Sequence, residues 1–376
     1  MGFETVKLKD LTINLDNKRK PLNELERKSL KKKGLYPYCG ANGVLDYIDE
    51  FIFDQEILCI AEDGGSWGFR EKCAYIMNEP CWVNNHAHVL VAKENVNVKY
   101  LCYYLNYADL SKHITGTTRG KLTKSALEKI EVKIPDYSTQ NKIVNALDKA
   151  QELIDKRKSQ IEALDQLTQS VFLEMFGDPL RNNKNLPVVP LSNLAEIIMG
   201  QSPKGDSYNT KGDGTPLLNG PTEFGNTYPK EKQWTTNPKK ICFKDDILFC
   251  VRGATAGRMN FADKEYCIGR GLAAIRCNNK NDIPFIYQTL KFLYKYFQST
   301  SNGSTFINID KKTLQNVPVL QVDNVQLEKY FTTIKKIEEQ KKVLSESVLL
   351  LEENYNSIMQ RAFKGELFTE EKVSNL

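Results

Sequence analysis

The chain has 376 residues, 41% hydrophobic and 26% charged, with a formal net charge of +5, so two or three domains of ordinary composition are expected and a nucleic-acid partner is permitted but not demanded. No run of about 18 apolar residues occurs, and Met1 to Asp10 lack the apolar core of a secretion signal, so no membrane and no export are expected. The nine Cys form no C-x-x-C pair, which fits a reducing, cytoplasmic setting with Cys59 and Cys250 as small apolar residues.

Val6-x-Leu8-x-x-Leu11 opens the chain. Phe51 to Ile60 is rich in β-branched and aromatic residues and predicts a strand, followed by the loop Asp63-Gly64-Gly65-Ser66-Trp67-Gly68. A strand over Ala87 to Ala92 and a helix over Val98 to Tyr107 come next. The turn Gly116-Thr117-Thr118 leads through Lys124, Leu127, Ile130 and Val132 to a long helix, expected from Ser138 to a stop at Gly177-Asp178-Pro179.

The pattern then repeats. Val189-x-Leu191-x-x-Leu194 restates the opening at an offset of 183 (189 − 6), after the polar linker Arg181-Asn182-Asn183-Lys184-Asn185. Ile241 to Val251 predicts a strand, Gly253 to Gly257 a Gly-rich loop, Gly271 to Arg276 a strand and Pro284 to Phe297 a helix. Gly303-Ser304-Thr305, Lys311, Leu314, Val317 and Val319 restate the first turn and its sequel at an offset of 187 (303 − 116). A second long helix is expected from about Asn324 to Lys364-Gly365.

Both long helices carry one heptad stripe. Ile143, Leu147, Ala150, Ile154, Arg157, Ile161, Leu164, Thr168 and Val171 step by four and three. At the same 187 offset stand Tyr330, Ile334, Ile337, Lys341, Leu344, Val348, Leu351, Tyr355 and Ile358. A stripe that spans about 42 Å at 1.5 Å per residue cannot stay in water. A single copy would fit an ordinary core helix, but two copies in one register point to each other as partners. The expected fold is mixed α and β (α/β): two globular domains joined by two long helices packed as an antiparallel coiled coil, with a pseudo-twofold internal repeat. The expected division is 1–137, 138–180, 181–323 and 324–376.

Catalytic constellations are weak. Asn237-Pro238-Lys239 and Asp178-Pro179-Leu180 lack the Pro-aromatic pair of an amino-methyltransferase. Gly116 to Lys121 is one residue short of a phosphate loop, and Leu122 replaces its Ser/Thr. Glu131-Val132-Lys133 has a nuclease-like spacing but suits a strand edge better. His86-Ala87-His88 could offer two imidazoles to a metal, yet no third ligand is evident, so no metal and no catalytic residue are expected. What remains are basic residues beside Gly, Ser and Thr, which suit phosphate and base-edge contacts as well as plain surface turns. Candidate DNA-binding residues are Trp67, Arg70, Arg119, Lys121 and Lys124 in the first half, and Arg252, Arg258, Arg270, Lys311 and Lys312 in the second. A hairpin turn explains either Gly-rich loop as well as a loop that approaches DNA.

Several short stretches, in order and repeated, resemble the specificity subunit of type I restriction-modification systems over essentially the whole chain. Tyr36-Pro37-Tyr38-Cys39-Gly40-Ala41-Asn42-Gly43, Ile52-Phe53-Asp54 and Glu62-Asp63-Gly64 look like one class of target-recognition domain. Gly200-Gln201-Ser202-Pro203 with Pro216-Leu217-Leu218 looks like another. After each domain come a Gly-Ser/Thr turn, a strand ending at Ile134-Pro135 or Val317-Pro318, and a helix opening near Gln140 or Gln326. Thr139 and Val325 stand where the family usually has Glu. The resemblance implies that each globular domain reads one half of a split, asymmetric target in double-stranded DNA. The helices would set the gap and hold two modification subunits, and restriction subunits would join that core. S-adenosylmethionine, ATP and Mg²⁺ would belong to those partners and no cofactor to this chain. A coiled-coil scaffold without DNA specificity, or a stand-alone methyltransferase or nuclease, are the alternatives.

Overall fold

The computed structural model describes residues 3–116, 119–294, 297 and 308–368. The chain divides into two compact units, residues 1–157 with 347–376 and residues 158–346, so each long helix contributes a segment to each unit. Thr117, Thr118 and the expected turn Gly303-Ser304-Thr305 lie outside the described residues.

In the first unit, Glu4–Lys7 pairs antiparallel with Glu131–Ile134, placing Val6 opposite Val132. A four-stranded antiparallel sheet runs in the order Thr12–Asn14, Ala87–Ala92, Ile57–Ala61, Ala74–Met77. A three-stranded sheet, Gly43–Ile48, Tyr36–Gly40, Trp82–Val83, has its last two strands parallel, with Cys39 opposite Val83.

The second unit repeats this plan. Val188–Pro190 pairs antiparallel with Pro318–Leu320, with Val189 opposite Val319. The offsets of 183 and 187 therefore land on one ladder. The four-stranded sheet runs Ala195–Met199, Leu272–Cys277, Ile247–Cys250, Met259–Phe261, the same topology as in the first unit. In the five-stranded sheet, Thr215–Leu218 runs parallel to Tyr266–Ile268, with Leu218 opposite Ile268. Tyr36-Pro37-Tyr38-Cys39 and Pro216-Leu217-Leu218, which look like two classes in sequence, thus hold equivalent places.

Two strand expectations are corrected. Of Phe51 to Ile60, only Ile57 onward is strand, while Phe53 forms a single bridge to Cys81. Ile241 to Val251 splits into Ile241–Cys242 and Ile247–Cys250, which sit in different sheets. The break is a turn: Asp245 takes φ +72°, and the Asp246 carboxylate accepts the Phe243 N–H at 2.8 Å. A β-rich run cannot reveal such a turn when an acidic pair supplies it. The second short helix spans Asp282–Phe292 rather than starting at Pro284.

The long helices are Tyr137–Phe176 and Asn324–Lys364. Asp136 accepts the Thr139 N–H at 3.0 Å and Asp323 the Gln326 N–H at 2.9 Å, so matched aspartates cap both starts. Gly177 and Gly365 end them at φ +79° and +78°. At the 187 offset the partner of Gln140 is therefore Leu327, not Gln326. Gln140 is buried and answers several backbone groups. Its Nε2 donates to the Pro135 carbonyl at 2.9 Å, and its Oε1 accepts the Asn97 N–H at 2.8 Å, tying the helix start to the cap of Val98–Tyr107. Gln326 is exposed, and Leu327 enters the core instead.

None of the heptad positions is exposed. In the first unit, Ile143, Val144 and Leu147 from the start of the first helix pack with Met359, Ala362 and Phe363 from the end of the second. The Phe363 ring lies 5.6, 5.4 and 5.0 Å from Tyr100, Tyr104 and Tyr107. In the second unit, Phe172 and Phe176 from the end of the first helix meet Leu327, Tyr330 and Ile334 from the start of the second. Start meets end in one unit and end meets start in the other, so the helices pair antiparallel as a coiled coil. Lys341, the polar member of the second stripe, reaches Asp165 of the first helix at 2.8 Å and Glu338 at 3.0 Å.

Candidate nucleic-acid interface

At one end of the first unit's four-stranded sheet, just past the inner strand Ile57–Ala61, a polar edge is built by residues far apart in sequence. Asp63 bridges to Lys121, and the Leu122 N–H donates to the Glu62 carbonyl at 2.8 Å, so the Gly-rich loop and the strand after the Gly116 turn lie side by side. The second unit makes the same arrangement: Arg252 bridges to Asn308, and the Ile309 N–H donates to the Val251 carbonyl at 2.8 Å. The position of Asp63 is thus held by Arg252 and that of Lys121 by Asn308. The two units carry opposite charge at one structural place.

In the first unit this edge is a charge network. Asp63 Oδ1 accepts from His86 Nδ1 at 2.7 Å and from Arg119 Nη2 at 3.0 Å. Glu62 meets Lys121 Nζ at 3.0 Å and Arg19 Nη1 at 2.6 Å. Behind it, buried His88 lies 2.7 Å from Asp16 Oδ2 through Nδ1 and donates from Nε2 to the Leu122 carbonyl at 2.7 Å. Asp16 also accepts the Val89 N–H at 2.9 Å. Burial alone would raise the Asp16 carboxyl, but hydrogen bonds from His88, Asn14 and Val89 hold it below its ordinary value. Burial works the same way on Glu62, where Arg19 and Lys121 bring the net shift down.

The structure sorts the residues singled out by sequence. Trp67 is a core residue, 8% exposed, with Nε1 donating to the Ala61 carbonyl at 3.2 Å. A Cβ on Gly65 would stand 2.4 Å from the Ala61 Cβ and 3.2 Å from the ring, and one on Gly120 3.0 Å from Ile114 Cγ2 and 3.1 Å from the ring, so these glycines let the chain pack closely around the indole. Gly257 plays the same part against Tyr294 in the second unit. This corrects the expectation that the loop presents Trp67. Arg70 is exposed, at φ +61°, but its guanidinium lies over Phe69 and its Nη2 donates to Gln360 Oε1 at 3.3 Å, so it anchors the loop to the second long helix. Arg119, Lys121, Lys124, Arg252, Arg258, Arg270, Lys311 and Lys312 are exposed. Lys124 and Lys311 begin equivalent short helices, capped by Thr123 and Asp310. Sequence reasoning named Glu62, Asp63 and Asn42 only within the motifs of the resemblance and not as interface residues; the Asn42 Nδ2 donates to the Gly64 carbonyl at 3.1 Å. The acidic pair before the glycines was the only signal, and its Arg partners lie far off in sequence, Arg19 by 43 residues and Arg119 by 56.

His86 and His88 turn to different carboxylates, Asp63 and Asp16. Among the described residues no group of three His, Cys, Asp or Glu could hold a metal ion, and no helix is long and apolar enough to cross a membrane. Cys59 and Cys250 are buried, and burial pushes the Cys73 and Cys102 thiols up to about 12.

The repeated topology is matched by comparison with known proteins. The type I restriction modification DNA specificity domain matches twice, over residues 1–164 and 183–344. The chain belongs to this family. Curated relatives include a putative type I restriction enzyme MjaX specificity subunit of Methanocaldococcus jannaschii, 29% identical over 271 residues, 66% of this chain and 64% of that protein. A putative type I restriction enzyme specificity subunit, S.HindORF215P of Haemophilus influenzae, is 36% identical over 134 residues, 36% of this chain and 34% of its own. The matches thus span less than two thirds of either relative. Among solved structures, the S subunit of a type I system from M. genitalium aligns at a TM-score of 0.60 with 17% identity, covering 96% of each chain. A chain from a study of type I R-M complex assembly aligns at 0.59 with 21% identity, covering 97% of this chain and 98% of its own. At such identities these two likenesses establish a shared fold alone.

Proposed function

We propose that this chain is the DNA-specificity subunit of a type I restriction-modification complex and has no catalytic site of its own. Residues 1–137 and 181–323 act as target-recognition domains, each reading one half of a split target in double-stranded DNA. The helical segments 138–180 and 324–376 set the gap and hold two modification subunits, to which restriction subunits add. S-adenosylmethionine, ATP and Mg²⁺ serve on those partners, which take the target adenine out of the stack. The complex works in the cytoplasm. The observation that carries this reading is the double match to one DNA-specificity domain on two units of one topology. Opposite charge at the Asp63 and Arg252 positions supports an asymmetric target, because different edges read different bases.

The test is a genome-wide map of methyladenine in cells that make this chain with its modification subunit, against cells lacking only this chain. A split, asymmetric motif that vanishes on deletion is expected. A methylation pattern indifferent to the deletion would leave a coiled-coil scaffold as the better account.

Lys124, Lys311 and Lys312 are proposed phosphate contacts, together with Arg252, Arg258 and Arg270, whereas Lys121 is already met by Glu62. Lys311→Ala is expected to weaken binding of the assembled enzyme about equally across sequences and to lower the slope of log K against log salt by about 1. Titrating duplex DNA at several salt concentrations measures both, and an unaltered slope removes Lys311 from the interface.

A further inference from the structure

The Asp63 cluster is better built for a base edge than for a phosphate. Arg119 is an exposed guanidinium, its side chain 65% accessible, but one face of its charge is already met by Asp63 at 3.0 Å. It lies over Gly64, where an added Cβ would stand 3.0 Å from Nη2, and the Gly64 carbonyl is tied to Asn42. Gly116, at φ +96°, lets the backbone close on the Arg119 carbonyl, which an added Cβ would approach to 2.4 Å. The same Asp63 oxygen accepts from His86, whose ring is part-exposed beside it. The guanidinium is thus a planar fork held on one side by Asp63, and two carboxylates, Asp63 and Glu62, stand at the same edge.

Carboxylates next to a cation weaken its pull on phosphate, since the approaching anion is repelled as well as attracted. They weaken hydrogen bonds to the neutral acceptors of a base far less, because those atoms carry only partial charges. Guanine offers N7 and O6 in the spacing of an Arg fork, and the paired cytosine offers an N4 donor that suits a carboxylate. We propose that Arg119, positioned by Asp63, reads the guanine of a G·C pair in the major groove and is a specificity-determining residue of the first domain's half-site. The inference rests on the specificity-subunit reading above. In the second unit the matching place is Arg252 opposite Asn308, so that domain reads its half-site with other groups.

The test maps methyladenine in cells that make the modification subunit with wild-type chain, Arg119→Lys, Arg119→Ala or Asp63→Asn. Lysine keeps the charge and loses the fork, so it separates base reading from phosphate contact. In Arg119→Lys and Arg119→Ala, one G·C position of one half-site is expected to relax, with discrimination there falling about 10- to 100-fold and the other half-site intact. Asp63→Asn relaxes the same position to a smaller degree. A motif in Arg119→Lys identical to wild type overturns the assignment, as does, in duplex-DNA titrations of the assembled Arg119→Ala enzyme at several salt concentrations, a uniform loss across sequences with a smaller salt slope. If Arg119→Ala abolishes methylation through misfolding, Arg119→Lys and Asp63→Asn still decide. A wild-type chain without any split motif overturns the specificity-subunit reading itself, and this proposal with it.

Discussion

Inserting one heptad into each long helix lengthens the gap between the half-sites by about three base pairs. Seven residues add about 10.5 Å of helix at 1.5 Å per residue, and one base step is about 3.4 Å. Seven residues also return the stripe to nearly the same face, so the inserted turns can continue the coil. The natural places are between Arg157 and Lys158 and between Glu346 and Ser347, where each helix passes from one unit to the other. An insertion in one helix alone leaves seven residues without a partner and slips the pairing of Lys341 with Asp165, so it serves as the control. The expected methylation motif keeps both half-sites and changes only its spacer. A double insertion that yields the parental spacer would remove the helices from the role of ruler.

His88→Leu is the most damaging single change expected in the first unit, at about 3–5 kcal/mol in urea unfolding. The side chain is 1% exposed and joins Asp16 to the Leu122 carbonyl, each at 2.7 Å. Leucine leaves a carboxylate in the interior without its main partner and takes a donor from Leu122. By contrast, His86→Ala removes a ring whose side chain is 41% exposed and should cost less than about 1 kcal/mol. Equal losses in the two variants would contradict the network.

The same network sets a pH dependence. Asp16 and Glu62 titrate below their ordinary values in the folded chain. Their contribution is therefore fully present above the ordinary carboxylate range and is lost as pH falls through the lower, folded values. Stability of the first unit should decline on acidification below that range, and Asp16→Asn should flatten the decline while lowering stability near neutral pH. A parallel curve for the variant would show that Asp16 does not drive it.

Much of this molecule was legible from residue order. The heptad stripe predicts a buried face, and every position of it from Ile143 to Ile358 is covered. The offsets of 183 and 187 predict equivalent ladders, and Val6–Val132 and Val189–Val319 are those ladders. Such features are readable because they repeat: a period or an offset is itself the information, and hydrophobic burial enforces it along the chain. The glycine stops at Gly177 and Gly365 belong here too, since a left-handed residue is a local demand.

Other features were decided only by the tertiary fold. Trp67 sits in a Gly-rich loop that suggests exposure, yet it is buried, with Gly65 packed against its ring. The acidic turn at Asp245-Asp246 cuts one β-rich run into strands of two sheets. Above all, the proposed reading edge joins Arg19, Glu62, His88 and Lys121, residues that share no period. Nothing in their order along the chain pairs them with one another. Burial makes them a network, because a charge taken out of water needs a partner, and the sheet register alone determines which partner is within reach.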